Sequence, residues 1–423
     1  MKNVLANRLL LLVLFLLPWQ THLAFRFASI ADAISPYGTG SLYVTEVLLL
    51  LVVILRGRPQ IPPQFSRVIQ ALYFFLAAVF FSLTFTSFFQ IGLSHLLSVL
   101  FAISLFLTLC DERTNIRHVC FSFVIGLFIP ALLGWVQVLT GLSAASTWLG
   151  IASQEASVLG TAVVETQTSR LLRAYGSFSH PNIFGGYLAV GIFLLGWGIR
   201  FIQSKRARFL FTIALILLLS TLLLTFSRSA WLALSIGFFC VIGLMIFRKR
   251  SLPRHTIPFV VVGFLTIFIT TGIFHAHVFS RFESTSRLEK ISFEERVSQY
   301  QQFQDVLRRN PFFGVGPGAY PFALAEVFPK KDVWSYQPIH NVFLLLLAEL
   351  GVVGLLAFLY LLLRVDQVST QVAKRAEGMF ALSLSILLLV LSLFDHYLWS
   401  FWSGLALCAF VFACLLKWST DNP

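Results

Sequence analysis

The stretch that decides the fold of this chain is Phe209–Phe247, FLFTIALILLLSTLLLTFSRSAWLALSIGFFCVIGLMIF. It contains two apolar runs, Phe209–Phe226 and Trp231–Phe247, on either side of a short polar turn that includes Arg228. Each run approaches the roughly 20 residues that a helix needs to cross a bilayer. The pattern therefore predicts two membrane-spanning helices joined by a tight turn.

The composition of the whole chain agrees with this pattern. Of its 423 residues, 57% are hydrophobic, 12% are charged and 45 are Phe. A soluble domain carries about 25% charged residues, and a membrane barrel would show alternating polarity rather than long apolar runs. We therefore expect an all-α polytopic membrane protein.

About twelve candidate spans can be placed, centred near residues 14, 49, 76, 100, 129, 192, 217, 238, 265, 352, 386 and 407. The first could instead be a cleavable signal peptide, because Lys2 and Arg8 precede the apolar run Leu9–Leu17. We interpret residues 1–423 as a single integral membrane domain. Two sizeable outer loops, 141–181 and 275–340, interrupt its spans.

The positions of Lys and Arg predict the orientation of the spans. With the N-terminus inside, 19 of the 31 Lys and Arg residues fall on the cytoplasmic side. The opposite face then holds, besides the long loop 275–340, only Arg26, Arg170, Arg173 and Arg228. The net charge of +13 is therefore mainly a topology signal, and nucleic acid is not an expected partner.

The long outer loop 275–340 carries eight Lys and Arg residues and a predicted surface helix over Glu294–Arg309. Apolar residues recur in this helix at steps of three and four, namely Val297, Tyr300, Phe303 and Leu307. Asn310 and Pro311 are expected to end it. The helix either lies on the membrane surface or forms a wall of an active site.

A glycine-rich stretch, Gly314–Gly318, follows the predicted helix. It lacks the Gly-Lys-Ser/Thr ending of a nucleotide-binding loop, and no strand precedes it. We therefore interpret it as a turn.

Two residues on the outer side are candidates for chemistry. His340 precedes the apolar run Val342–Leu347, and a neutral imidazole there could accept a proton from a hydroxyl. The alternative is a histidine that hydrogen-bonds the backbone where the helix begins. Arg228 is costly near a membrane, so it either binds an anion or extends to lipid headgroups.

Acidic residues near the membrane allow a rival interpretation. Glu349 lies inside the tenth span, and Asp395 and His396 occupy the turn between the last two spans. Such groups are candidates for an ion or proton pathway. The chain does not, however, show the pair of broken spans that is typical of a transporter's internal symmetry.

Several stretches, taken in order along the chain, carry a family resemblance. They are Arg173–Gly186 (RAYGSFSHPNIFGG), Thr225–Leu232 (TFSRSAWL), Glu295 with Arg296, Asn310–Tyr320 (NPFFGVGPGAY), His340–Leu355 (HNVFLLLLAELGVVGL) and Asp395–Ser400 (DHYLWS). Together they resemble the O-antigen ligase and polymerase superfamily of bacterial envelope glycosyltransferases. The resemblance covers roughly residues 170–400, and its specificity comes from the order and spacing of the motifs.

The resemblance implies transfer of a glycan from an undecaprenyl diphosphate carrier to an acceptor hydroxyl, on the outer face of the bacterial inner membrane. It implies that Arg228 and Arg296 bind the diphosphate and that His340 activates or positions the acceptor. Expected substrate-binding and supporting residues are Arg173, Asn182, Asn341 and Glu349. Because the exported loops contain no Asp-X-Asp pair, we expect inverting transfer without a metal or another cofactor.

The preferred hypothesis is a glycan ligase that joins a lipid-carried polysaccharide to an acceptor, and the expected acceptor is a glycolipid, a glycan or a protein. A polysaccharide polymerase and a protein O-oligosaccharyltransferase of the same family remain open, because the three share these motifs. A membrane transporter or lipid-glycan flippase is the alternative from a different class. The candidate residues cluster on one face of the membrane, which disfavours a path across it.

Overall fold

A computed structural model describes residues 2–30, 33–167, 169–250, 254–282, 287–329, 331–370 and 376–420. It is 72% helical and has nearly no sheet, which confirms the all-α class. The helices are α1 (Lys2–Leu16), α2 (Val44–Arg56), α3 (Ser66–Thr84), α4 (Phe89–Cys110), α5 (Ile116–Gly126), α6 (Phe128–Thr140), α7 (Pro181–Gly198), α8 (Lys205–Leu224), α9 (Arg228–Phe247), α10 (Ile257–Ile273), α11 (His275–Ser280), α12 (Arg287–Leu307), α13 (Tyr320–Val327), α14 (Val342–Thr370), α15 (Ala376–Phe394), α16 (Tyr397–Ser400) and α17 (Trp402–Thr420).

The strands are short and pair as antiparallel hairpins in the described part of the chain. They are β1 (His22–Arg26) with β4 (Thr39–Tyr43), β2 (Ser29–Ile30) with β3 (Ala33–Ile34), β5 (Leu142–Ser143) with β6 (Gln154–Glu155), and β7 (Val163–Glu165) with β8 (Arg170–Leu172). The last two hairpins lie in the outer loop predicted over 141–181. Sequence reasoning did not identify any of them.

Among the described residues, eight helical segments are long and apolar enough to cross a membrane. They are Pro63–Thr84, Phe89–Cys110, Ile116–Thr140, Pro181–Phe201, Lys205–Leu224, Arg228–Phe247, Val342–Ser369 and Glu377–Phe394. Two further apolar helices, Ile257–Ile273 and Trp402–Trp418, are shorter. The predicted centres near 14 and 49 fall in α1 and α2, which have 15 and 13 residues. All predicted centres therefore lie in helices, and the number of helices that cross the membrane stays a prediction.

The chain forms two compact units, of which the first comprises residues 1–21, 115–292 and 386–391. Its central helix is α7, which packs against α5, α8 and α9. Pro181 stands at the first position of α7, and the His180 side chain accepts a hydrogen bond from the Asn182 backbone N–H, at 3.1 Å. A Cβ on Gly185 would lie 3.0 Å from Ala230, so a small residue permits the close approach of α7 and α9.

The second unit comprises residues 22–114, 293–385 and 392–423. In it α14 packs against α3, α4 packs against α17, and α14 also contacts α17. The short helix α16 lies against α17. These contacts hold the N-terminal end of α14 and the turn before α16 within one unit.

Helix α14 is broken at Gly351, which has φ 69° and ψ −172°. A Cβ on Gly351 would lie 2.2 Å from the carbonyl carbon of Phe312, and a Cβ on Gly314 would lie 2.2 Å from that of Glu349. Both positions have positive φ, so each needs glycine for its backbone angle as well as for space. The sequence did not indicate this break.

Backbone hydrogen bonds from the preceding loop replace those that the break removes. The Val352 N–H donates to the Pro311 carbonyl at 2.9 Å, and the Gly316 N–H donates to the Glu349 carbonyl at 2.9 Å. The stretch Gly314–Gly318 forms turns, as the sequence predicted. Its function in the fold is to pair with the broken part of α14.

The surface helix predicted over 294–309 is confirmed as part of α12, which is described from Arg287 and ends at Leu307. Its apolar stripe is divided, because Val297 and Tyr300 are 41% and 47% exposed whereas Phe303 is buried. The buried side instead includes polar Gln299. A polar side chain on the buried face of a helix indicates a partner in the interior.

Candidate active site

His340 lies directly before α14 in the second unit and is half-buried. Its ring Nδ1 is 2.9 Å from the Gln299 side-chain oxygen, to which the His340 backbone N–H also donates at 3.4 Å. An amide oxygen only accepts hydrogen bonds, so Nδ1 must carry the proton when the ring is neutral. The lone pair that could accept a proton is therefore on Nε2 of His340.

The turn before α16 brings Asp395 and His396 to the same place. The His396 and His340 rings meet edge to face, with centroids 5.1 Å apart. The His396 Nδ1 lies 3.0 Å from the Ser400 hydroxyl, and its backbone N–H donates to an Asp395 carboxylate oxygen at 2.8 Å. Both Asp395 and His396 are buried. The site thus contains two imidazoles and a carboxylate in a largely enclosed turn.

Burial determines the charge state of the two rings. It lowers the pKa of His340 below the usual 6.5, where the charge of Asp395 opposes the shift and that of Arg296 adds to it. Burial and the adjacent His340 ring lower the pKa of His396 to about 3, again against the effect of Asp395. Both imidazoles are therefore neutral at pH 7 and can accept a proton or a metal ion.

The same cluster has the composition of a metal site. One ligand atom each from His340, Asp395 and His396 lie within 4.8 Å of one another. Two imidazoles and one carboxylate suit a transition-metal ion. The sequence did not predict a metal site here, because the three residues come from two separate motifs.

Arg296 is half-buried on α12, three residues before Gln299. Residues three apart share a helix face, so Arg296 and Gln299 lie on the same side of α12. The positive charge of Arg296 is among the causes that lower the pKa of His340, so the two groups lie close enough to interact. Of the three residues predicted to be catalytic, the structure thus brings Arg296 and His340 together within the second unit.

Glu349 and Asn341, both predicted to support the site, have structural partners in the second unit. Glu349 is 2% exposed, and its carboxylate accepts hydrogen bonds from the backbone N–H of Gly318 and the indole of Trp399, each at 2.7 Å. The Asn341 side-chain oxygen accepts from the backbone N–H of Phe343 at 3.0 Å, which caps α14. Glu349 therefore fixes the glycine-rich turn, and Asn341 fixes the start of the helix that follows His340.

Arg173 and Asn182, the other two predicted substrate-binding residues, contact each other in the first unit. The Arg173 guanidinium donates to the Asn182 side-chain oxygen and to the Thr225 carbonyl, both at 2.7 Å. Arg173 is 6% exposed. These hydrogen bonds brace the chain segment that leads to the turn before α9.

Arg228 is the first residue of α9 in the first unit, and its side chain is exposed. Its guanidinium donates to the Arg281 carbonyl at 3.0 Å. Two residues earlier, buried Phe226 has φ 49°, a strained angle for a residue with a Cβ. A cation is unfavourable at the positive end of the helix dipole, and the role of Arg228 in binding the diphosphate stays a prediction.

The sequence analysis named His340 and Arg296, and Asp395 and His396 for a rival ion pathway, but none of the uncharged residues beside them. Gln299 lies 41 residues from His340 and has no charge that would single it out. Tyr37 also belongs here, because its ring meets that of His396 edge to face at 6.3 Å. The only available signal for Gln299 was its position one helical turn after Arg296.

A family model described as O-antigen ligase matches residues 213–359, about a third of the chain. The matched range contains Arg228, Arg296, His340 and Glu349, and ends before Asp395. A comparison with curated proteins finds no match.

Proposed function

We propose, from the match of residues 213–359 to the O-antigen ligase family, that this chain transfers a glycan from undecaprenyl diphosphate to an acceptor hydroxyl. The observation that carries the proposal is the arrangement of His340. Its Nδ1–H donates to the side-chain oxygen of Gln299, so the lone pair of Nε2 can accept the proton of the acceptor hydroxyl. A general base of this kind contributes roughly 10²–10⁴-fold to a rate.

The proposed step is a single displacement. His340 Nε2 takes the proton of the acceptor hydroxyl as its oxygen attacks the anomeric carbon of the donor glycan. The bond from that carbon to the diphosphate breaks, and the diphosphate leaves with the electron pair. Attack opposite the leaving group inverts the anomeric configuration.

Arginines are proposed to stabilise the charge of the leaving diphosphate. A guanidinium binds phosphate oxygens through two parallel hydrogen bonds, and such groups act most strongly where charge develops. Arg296 is supported by its position on α12, three residues before the Gln299 that contacts His340, and Arg228 by its exposed position at the start of a helix. With this charge supplied by side chains, the transfer is proposed to need neither a divalent cation nor ATP.

The proposed location is the outer face of the bacterial inner membrane. The support is the distribution of Lys and Arg, which favours an exported segment 275–340. Lipid-linked donors are available there, whereas nucleotide sugars are not. The glycan acceptor is proposed to be a membrane glycolipid.

A reconstituted assay tests the proposal. Purified full-length protein, a lipid-diphosphate glycan and one of three acceptors (core glycolipid, free glycan or acceptor protein) are mixed in a metal-free buffer. We expect product with the glycolipid, and a loss of at least about 100-fold for His340→Ala and for Arg228→Ala. The exposed residue His118 supplies a matched control, because His118→Ala should keep the wild-type rate.

Each other outcome of the assay has a definite meaning. Product with only the free glycan or only the protein would replace the ligase by a polymerase or a protein O-oligosaccharyltransferase. Normal turnover by His340→Ala would reject the proposed base. Movement of the lipid-linked glycan across a vesicle membrane without any new glycosidic bond would support the flippase instead.

A further inference from the structure

The cluster of His340, Asp395 and His396 has features beyond those that a base requires. A base needs one imidazole, whereas this turn places a second imidazole and a carboxylate oxygen within 4.8 Å of it. Asp395 and His396 are 4% and 7% exposed. A second imidazole and a carboxylate are thus held in the interior beside the proposed base.

The hydrogen bonds around the two rings are those of metal ligands. In protein metal sites, a ligating histidine usually donates its other ring N–H to an acceptor that fixes the tautomer. His340 Nδ1 meets the Gln299 oxygen at 2.9 Å, and His396 Nδ1 meets the Ser400 hydroxyl at 3.0 Å. Each ring therefore has Nδ1 engaged by a neighbour, and Nε2 is the atom that a metal ion would use.

The chemical types of the three ligand atoms determine which metal ion the cluster prefers. Two imidazoles with one carboxylate favour Zn²⁺ and similar transition metals, whereas Mg²⁺ and Ca²⁺ prefer oxygen ligands alone. Zn²⁺ holds its ligands at about 2.0–2.2 Å, so tetrahedral ligand atoms are about 3.4 Å apart. The ligand atoms, which lie within 4.8 Å of one another, would have to approach by up to about 1.4 Å when the ion binds.

We propose that Zn²⁺, or a transition-metal ion like it, binds His340, Asp395 and His396 and inhibits the enzyme. The inhibitory part rests on the proposed function, because the metal would occupy the Nε2 lone pair that the acceptor hydroxyl needs. With three protein ligands the ion keeps an open position for water. Excess transition metal would thus switch off glycan transfer at the base itself.

Metal binding is tested directly on the full-length protein, purified without a polyhistidine tag and stripped with a chelator. Titration with Co²⁺ should give one bound ion per chain with visible absorption bands, and Zn²⁺ should displace it. Asp395→Asn and His396→Ala should each weaken Co²⁺ binding by at least about 10-fold, and Ser400→Ala by about 10-fold. His118→Ala should bind as the wild type does. Asp395→Asn keeps the shape of the side chain, so it remains informative if His396→Ala does not fold.

The glycan transfer assay then separates the two proposals. Inhibition by Zn²⁺ that a chelator reverses, with a weaker effect on Asp395→Asn than on the wild type, would support the inhibitory site. Co²⁺ binding that is unchanged in both ligand variants would overturn it. Stimulation by Zn²⁺ would overturn the inhibitory role. Metal binding without transfer by any preparation would reject the proposed function and leave the metal site intact.

Discussion

At the scale of single residues, the proposed chemistry depends on an uncharged partner. Gln299 is 7% exposed and holds His340 through its side-chain oxygen. That contact selects the tautomer in which Nε2 can accept a proton. Charge and resemblance pointed to His340 and Arg296 in the sequence, but an amide 41 residues away becomes visible only when α12 is packed.

Replacing Gln299 should therefore change catalysis more than folding. In Gln299→Ala the ring loses the acceptor for Nδ1–H, and we expect kcat for glycan transfer to fall by about 10-fold or more with little change in KM. Gln299→Glu keeps an acceptor and should recover most of the rate. The measurement is steady-state transfer with varied acceptor.

Gln302 is the matched control for this experiment. It is also buried on α12, but its side-chain N–H donates to the Ser298 hydroxyl. Gln302→Ala should therefore keep kcat. Equal losses of kcat in the two alanine variants would show that Gln299 acts only through packing.

At the scale of helices, the positions of the spans were predictable, whereas the break in α14 was not. Apolar runs locate helices because the bilayer requires them to be long and apolar. Gly351 sits among such residues, so its local composition is that of an uninterrupted helix. What distinguishes Gly351 is its neighbour in space, because the carbonyl carbon of Phe312 would lie 2.2 Å from a Cβ added at this position.

The break in α14 makes Gly351→Ala a sharp test of the fold. The new Cβ would meet the Phe312 backbone, and φ 69° is strained for alanine at a cost of about 1–3 kcal/mol before any clash. We expect the unfolding temperature of the purified protein in detergent to drop by several degrees. In α9, Gly243 has no heavy atom within 4 Å of an added Cβ, so Gly243→Ala should not lower it.

The apolar stripe of α12 shows a second limit of periodicity. Val297 and Tyr300 have the spacing of a buried face, yet both are exposed. Periodicity locates an apolar face of a helix without telling whether that face packs on the protein or lies on a membrane surface. The buried side of α12 carries Gln299, which contacts His340.

Asp111, at the end of α4 in the second unit, makes the stability of the protein depend on pH. Buried Asp111, just after α4, accepts hydrogen bonds from the Arg113 side chain. Burial alone would raise its pKa, but the hydrogen bonds from Arg113 and Gln60 outweigh burial and lower it. A lowered folded pKa means that the stabilisation is complete above the unfolded value of 3.8 and is lost as the pH falls through the folded value.

We therefore expect Asp111→Asn to lower the unfolding temperature at pH 7 and at pH 5 by the same amount. The difference in unfolding temperature between Asp111→Asn and the wild type should shrink below about pH 3.8, as the wild-type carboxylate becomes protonated. Asp305, which pairs with Arg308 at an exposed site, is the control, and Asp305→Asn should show little effect at any pH. A difference in unfolding temperature that grows as the pH falls would contradict the lowered pKa of Asp111.

At the scale of the whole molecule, the charge distribution predicts the orientation in the membrane. Basic residues such as Arg206 are expected inside, and the loop around Trp148 is expected outside. Trp148 is 88% exposed and Arg206 is also exposed, so both sites can be labelled where water reaches them. Orientation can thus be measured independently of activity.

On a background without the five native cysteines, Trp148→Cys should react with a membrane-impermeant maleimide in intact spheroplasts. Arg206→Cys should react only after the membrane is permeabilised. Both labelling yields are read by gel shift, with fully permeabilised cells as the common reference. The reverse pattern would place the His340 side of the chain in the cytoplasm and reject the proposed location.

The break in α14 also has a consequence for the depth of the preceding loop. Gly351 lies nine residues after Val342, or about 14 Å along the helix axis, and a hydrocarbon core is about 30 Å thick. Because Val352 donates to the Pro311 carbonyl, the segment around Pro311 lies beside this point of α14. With α14 as a membrane span, we expect part of the loop 275–340 to be a re-entrant segment that enters the membrane and returns on the same side, and a protease added in water should fail to cut it.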